Sequence, residues 1–207
     1  MLTIIDYRAG NLTSIQLAFA SLGFETRMTT EPKAILSAER IVFPGVGAAG
    51  SAMANLKQLK LVNAIKTQIK NGIPFLGICL GMQILFDNSE EDNGTHCLGV
   101  IPGKVKRFVT GKSGDKIPQM GWNQVNFKVN HPVLKDITSG SDFYFVHSYY
   151  AQPAQSSYIY AETNYAGITF TSIAGKGNLI ATQFHPEKSG RIGLKLLENF
   201  LRWDGKC

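Results

Sequence analysis

Pro74-Phe75-Leu76-Gly77-Ile78-Cys79-Leu80-Gly81-Met82-Gln83 carries an apolar run into a cysteine flanked two residues away on each side by glycine. A continuous run of this kind reads as a strand buried on both faces, and the segment after it reads as helical. Gly-x-Cys-x-Gly between strand and helix is a nucleophile-elbow pattern with cysteine in place of serine. The glycines are required because so tight a turn leaves no room for side chains beside it. Unpaired N–H groups and the positive dipole end of the helix favour negative charge on the sulfur. The N–H of Leu80, the next residue, can donate to a developing oxyanion. An unpaired cysteine more often sits buried as a small hydrophobe. The glycines and the strand-to-helix position set Cys79 apart from that reading, whereas Cys97 and Cys207 lack the setting and read as structural or incidental.

Outward from this elbow, the first half alternates strands and helices. Leu2 to Ile5 reads as a strand, and Leu12, Ile15, Phe19 and Leu22 recur at helical spacing before Gly23. Ile41 to Phe43 is a second buried strand, expected to break at Pro44. Val62, Ile65 and Ile69 mark a further helix closed by Gly72. This rhythm predicts an α/β fold with a mostly parallel central sheet flanked by helices. From Leu98 to about Ala174 the chain is rich in β-branched and aromatic residues, and Gln124 to Val129 and Ser141 to Tyr150 read as antiparallel strands. Leu179 to His185 is another strand. A closing helix places Ile192, Leu196, Leu197, Phe200 and Leu201 on its core face. No linker divides the 207 residues, so one domain is expected.

Composition narrows the classes. Apolar residues make up 44% and charged residues 17%, a globular balance. Three cysteines, far apart and odd in number, argue for reduced cytosolic thiols, and no Cys-x-x-Cys or paired-His spacing suggests a metal. No cofactor is expected. The opening residues lack a basic leader with a long apolar stretch, so no signal peptide is expected, and Ile73 to Phe86 is too short to span a membrane. The net charge of +6 is scattered, with loose groups at Lys104-Lys106-Arg107 and Lys188-Arg191-Lys195. No recognition motif for nucleic acid accompanies it.

A nucleophilic cysteine needs a base oriented by a third group. His185, in Thr182-Gln183-Phe184-His185-Pro186-Glu187-Lys188, ends an apolar strand, and Pro186 keeps it extended. Residues at i and i+2 of extended chain share a face, so Glu187 can sit beside the ring. Glu187 alone reads equally as a helix-start charge. The other histidines compete poorly: His131 looks exposed in a polar turn, His96 lies in a loop, and His147 reads as a packed, hydrogen-bonded residue near the site.

Cys79 at an elbow, followed much later by Phe184-His185-Pro186-Glu187, resembles the class I, triad-type glutamine amidotransferases across the whole chain. Asp6-Tyr7 with Gly10-Asn11, Pro44-Gly45-Val46-Gly47, Pro118-Gln119-Met120-Gly121-Trp122-Asn123 and Phe145-Val146-His147-Ser148-Tyr149 are similar to the branch that serves imidazole glycerol phosphate synthases. The resemblance implies one glutaminase domain over residues 1–207 with the triad Cys79, His185 and Glu187. It also implies ammonia delivery to a separate (βα)8-barrel cyclase in a heterodimer, with no nucleic acid or membrane as partner. It makes Val46 the second oxyanion donor, on a peptide that reorients before the hole is complete. Gly47, Gln83, Ser148 and Tyr149 would hold the amino-acid end of glutamine, and Asn11, Trp122, Lys188 and Lys195 would face the partner. Two other readings stay open: a glutaminase for an anthranilate or aminodeoxychorismate synthase, and a non-catalytic regulatory subunit.

Overall fold

The computed structural model describes residues 1–8, 12–109 and 116–206; Gly10, Asn11 and Cys207 lie outside them. Strands β1 (Leu2–Ile5), β2 (Thr26–Thr29), β3 (Arg40–Gly45) and β4 (Phe75–Cys79) alternate with helices α1 (Leu12–Ser21), α2 (Pro32–Leu36), α3 (Ala49–Gln58) and α4 (Leu61–Lys70). After a one-turn helix α5 (Leu80–Gln83) come β5 (Asn88–Ser89), β6 (Thr95–His96), β7 (Gly103–Arg107), β8 (Gln119–Phe127), β9 (Ser141–His147) and β10 (Tyr149–Pro153). Strands β11 (Ile159–Tyr165), β12 (Ile168–Lys176) and β13 (Leu179–Thr182) lead to the closing helix α6 (Gly190–Arg202).

The parallel part runs β2-β1-β3-β4-β13, and β12, β10, β7, β5 and β6 continue the sheet beyond it. Strands β12, β10 and β7 join antiparallel, while β11, β8 and β9 form an antiparallel arm off β12. Period-two alternation separates the two faces of the parallel part. Leu2, Ile4, Val42, Leu76 and Ile78 pack with Ile15 and Phe19 of α1 and Leu196, Leu197 and Phe200 of α6. Ile5, Ile41, Phe43 and Phe75 pack with Ala52, Met53 and Leu56 of α3 and Leu61 and Ile65 of α4. Both faces are covered, which explains why these strands read as continuous apolar runs. No helix among the described residues is long and apolar enough to cross a membrane.

Several expectations need correcting. Pro44 does not end its strand: β3 continues to Gly45, with Pro44 opposite Ile78 and Gly45 opposite Cys79. The expected single strand over Ser141 to Tyr150 is two, β9 and β10, interrupted at Ser148. Ile192 lies at the exposed edge of the α6 stripe, 36% accessible, while Leu196, Leu197 and Phe200 are buried.

The elbow depends on close backbone approach. A Cβ on Gly81 would overlap the carbonyl oxygen of Phe43, a backbone atom that cannot yield. A Cβ on Gly77 would stand 3.0 Å from Leu85 Cδ1 and Gly81 O and 3.1 Å from Ala181 Cβ. Gly81→Ala should therefore cost about 1–3 kcal/mol or more, a fall in Tm on the order of 2–12 °C for a chain of this size. Gly77→Ala should cost visibly less. Thermal unfolding of the two variants checks this, and equal losses would show that the Phe43–Gly81 approach is not the constraint.

Candidate active site

Cys79 ends β4 and immediately precedes α5, at the carboxyl edge of the sheet where open α/β folds hold ligands. Its backbone sits at φ 53° and ψ −110°, a conformation that non-glycine residues rarely adopt and that clusters at functional sites. Because α5 is one turn long, the local donors are its opening N–H groups and not a long helix dipole. Leu80, first in that turn, has no intrahelical acceptor for its N–H. Cys79 is buried, at 7% exposure, and its Sγ lies 3.8 Å from Gln183 Nε2 and 4.0 Å from the Val146 carbonyl oxygen.

His185 follows β13 in a loop tied down at several points. Its N–H donates to the Tyr144 carbonyl at 2.9 Å. Ser189 Oγ donates to the His185 carbonyl at 2.6 Å and accepts the Tyr144 N–H at 3.0 Å. Glu187 and His185 are brought together as the i, i+2 spacing requires, with Nδ1 2.7 Å from Glu187 Oε1 and both side chains almost wholly buried. That contact assigns the Nδ1 proton to the ring and leaves Nε2 for chemistry. Nε2 is buried, closes no hydrogen bond of ordinary geometry and faces Cys79. Burial alone pulls the ring pKa down; the charge and hydrogen-bonding reach of Cys79, followed by Glu187, outweigh it and push it up to about 10. The protonated ring is the state this balance favours.

Cys79 and His185 open on a cavity of about 330 Å³ that Val46, Gly47, Leu80, Gln83, Ser148 and Tyr149 also line. Eight residues separately expected at the site from the sequence are thus on one wall or another of a single cavity, with Glu187 directly behind it. Gln83 is buried, not a surface glutamine: its Nε2 donates to the Tyr149 carbonyl at 2.9 Å and to Gln183 Oε1 at 3.1 Å. A larger cavity, about 830 Å³, lies along residues 127–139 and holds none of the expected residues. Among the described residues no group of three or more His, Cys, Asp or Glu can hold a metal ion. Trp122 and Lys188 are exposed, Lys195 pairs with Glu198 at 3.3 Å, and Asn11 lies outside the described residues.

Two site residues were missed from the sequence. Gln183 is wholly buried and links Gln83 to Cys79; its signal was the i−2 spacing from His185, which places both on one face of extended chain. Glu91 lines the cavity, and its Oε2 accepts the Ala49 N–H at the start of α3 at 2.7 Å. Nothing in its loop sequence announces that reach across 42 residues. Burial raises the Glu91 pKa, partly offset by that hydrogen bond. Two histidine readings also change. His131 is buried, its Nδ1 accepting the Val133 N–H at 3.1 Å, and burial lowers its pKa to about 4. His96 lies in the short strand β6. His147 is held neutral by burial, with its pKa lowered to about 4, and sits 2.7 Å from the Tyr149 carbonyl and 3.0 Å from the Gln119 side chain.

Residues 3–203 match the family described as Glutamine amidotransferase class-I. The chain is 52% identical over 202 residues to the imidazole glycerol phosphate synthase subunit HisH of Dehalococcoides mccartyi (strain CBDB1), covering 98% of this chain and 97% of that one. It is 47% identical over 203 residues to the subunit of the same name from Geobacter metallireducens, covering 96% of each. Among solved structures it is similar to a glutamine amidotransferase at TM-score 0.74 and 14% identity, covering 97% of each chain. It is also similar to the PurLQS structure from Thermotoga maritima at TM-score 0.71 and 18% identity, again covering 97% of each. At those identities the structures speak to fold alone.

The protonation balance at His185 can be tested directly. Since Cys79 raises the ring pKa more than Glu187 does, Cys79→Ala should lower it further than Glu187→Gln. Ring-nitrogen NMR titrations of the three chains should show the wild-type ring still protonated well above pH 7. The reverse order of the two variants would contradict the larger part assigned to Cys79 in holding the ring protonated.

Proposed function

Because the chain belongs to the class-I glutamine amidotransferase family, we propose that it is the glutaminase subunit of an imidazole glycerol phosphate synthase, releasing ammonia from glutamine for a cyclase partner. The observation that carries the chemistry is the line Cys79–His185–Glu187, with Nδ1 fixed on Glu187 and Nε2 left facing the sulfur. Relatives of the same length that are named as that synthase subunit carry the choice of branch.

The geometry supports a two-step acyl transfer. Cys79 Sγ attacks the side-chain carboxamide carbon of glutamine, and the electron pair of the C=O moves onto oxygen, where the Leu80 and Val46 N–H groups receive it. His185 gives its Nε2 proton to the amide nitrogen as the C–N bond breaks, leaving ammonia and a thioester. Water then loses a proton to Nε2 as it attacks the thioester, and collapse of the second oxyanion releases glutamate, returning the electron pair to Sγ and leaving the ring protonated as at the start. Glu187 holds the tautomer and the positive charge throughout. Gln183 and Gln83 support the sulfur and the cavity wall. Glu91 offers its carboxylate to the substrate α-ammonium, beside Gly47, Gln83 and the Ser148–Tyr149 backbone.

The partner is a (βα)8-barrel cyclase, the complex a heterodimer in the cytosol, and the glutaminase one domain over residues 1–207. Trp122, exposed on β8 at 57%, and Lys188, next to Glu187, belong to the face toward that partner, with Lys195 at its edge. Gly45, without a side chain, gives the Gly45–Val46 peptide that carries the Val46 N–H a low steric cost of rotation, so the free subunit hydrolyses glutamine slowly and the complex holding the cyclase's nucleotide hydrolyses it fast. Loss of one oxyanion donor costs roughly a hundred- to a thousandfold in rate, which sets the expected span between the two states.

In the reconstituted complex, Cys79→Ala should abolish glutamine-dependent product while product from ammonium salts persists. Steady-state assays with each nitrogen source check this. Unchanged glutamine use would overturn the mechanism, and full turnover by the isolated wild-type chain would overturn the partner dependence.

A further inference from the structure

Tyr7, which follows β1, has its ring packed edge-on against Phe43 at 5.4 Å between centroids and is 1% exposed. Its hydroxyl is buried and has no hydrogen-bond partner among the described residues. Native structures seldom leave such a group unpaired, and each case calls for an explanation. The surroundings of Gly45 locate the hydroxyl. A Cβ on Gly45 would overlap it, while standing 2.9 Å from Gly81 N and 3.0 Å from Leu80 Cβ. Gly45 is the register partner of Cys79, and its carbonyl shares a peptide with the Val46 N–H. Val46 lines the cavity and Tyr7 does not; the hydroxyl stands instead against Gly45 and the first turn of α5.

Two physical facts connect these positions. In a trans peptide the N–H and the C=O point in opposite directions, so a Val46 N–H turned into the cavity sends the Gly45 carbonyl away from it. Burial, and secondly the charge of Cys79, raise the Tyr7 pKa well above its ordinary value. The hydroxyl is thus a donor in want of an acceptor, whatever the state of the sulfur.

We infer that Tyr7 is a positioning residue of the oxyanion hole: its hydroxyl donates to the Gly45 carbonyl when the Gly45–Val46 peptide presents the Val46 N–H to the substrate. The bond is not made in the structure, so it forms only on rotation of that peptide and stabilises the donor-in orientation. Tyr7 touches neither substrate nor sulfur; it acts through the peptide. This role rests on the glutaminase reading above.

The test is Tyr7→Phe in the complete complex, with the cyclase and its nucleotide ligand present. The kcat for glutamine hydrolysis should fall about tenfold, the rate equivalent of one lost hydrogen bond, with KM for glutamine within about twofold because the oxyanion exists only beyond the ground state. Alkylation of Cys79 by iodoacetamide, which builds no oxyanion, should keep its wild-type rate, and Tm should hold or rise. An unchanged kcat in the variant, beside an active wild-type complex, overturns the inference alone. Equal losses in alkylation and hydrolysis overturn it too, because they place Tyr7 on the nucleophile or the fold. A wild-type complex that does not hydrolyse glutamine overturns the glutaminase reading and the inference with it.

Discussion

At Cys79 the backbone is held at φ 53°, in a region that costs an ordinary residue of order 1–3 kcal/mol, and the architecture around it exists to hold it there. Strand β4 is clamped between β3 and β13, with Gly45 opposite Cys79 on one side and Thr182 opposite Ile78 on the other. Gly81 lies so close to the Phe43 carbonyl that no larger residue fits. The chain therefore cannot relax the elbow by sliding β4 or by pushing α5 outward. The strained turn points the sulfur into the cavity and opens the first N–H groups of α5 beside it. Register, close approach and strain are three aspects of one constraint.

His185 comes from the other end of the chain and needs a different kind of anchoring. His185 is in a loop, yet hydrogen bonds to Tyr144 and Ser189 fix its backbone and Glu187 fixes its ring. A Cβ on Gly193 would overlap the Pro186 carbonyl, so α6 closes over this loop as α5 closes over the elbow. Strand β13, parallel to β4, sets the separation between the two anchors. The parallel sheet thus acts as a ruler between Cys79 and His185, and the remaining wall comes from Val146 of β9, Tyr149 of β10 and Ser148 between them.

How much of this was legible in the sequence follows from how local each signal is. The elbow and the His-x-Glu pair are local patterns whose geometry is fixed by spacing, so Cys79, His185 and Glu187 could be named and found within one arrangement. The parallel strands announce themselves because both faces are covered. The continuation of β3 through Pro44 was hidden because a proline usually ends a strand, and here it falls near the strand's final residues. Burial of His131 depends on Tyr160 and Trp203, which are distant in sequence. Glu91 and Tyr7 act across loops or across strands, and no spacing rule connects either to Cys79. Gln183 was within reach, since the same alternation that pairs His185 with Glu187 also places Gln183 on that face.

If Cys79, and no other thiol, carries the acyl group of glutamine, the acyl-enzyme can be trapped during turnover. Acid quenching of the complete complex during turnover of isotopically labelled glutamine, followed by peptide mass mapping, measures this directly. Label is expected as a γ-glutamyl thioester on the peptide containing Cys79, with none on the peptide containing Cys97. Steady turnover with Cys79 unlabelled, or with the label on another residue, would contradict it.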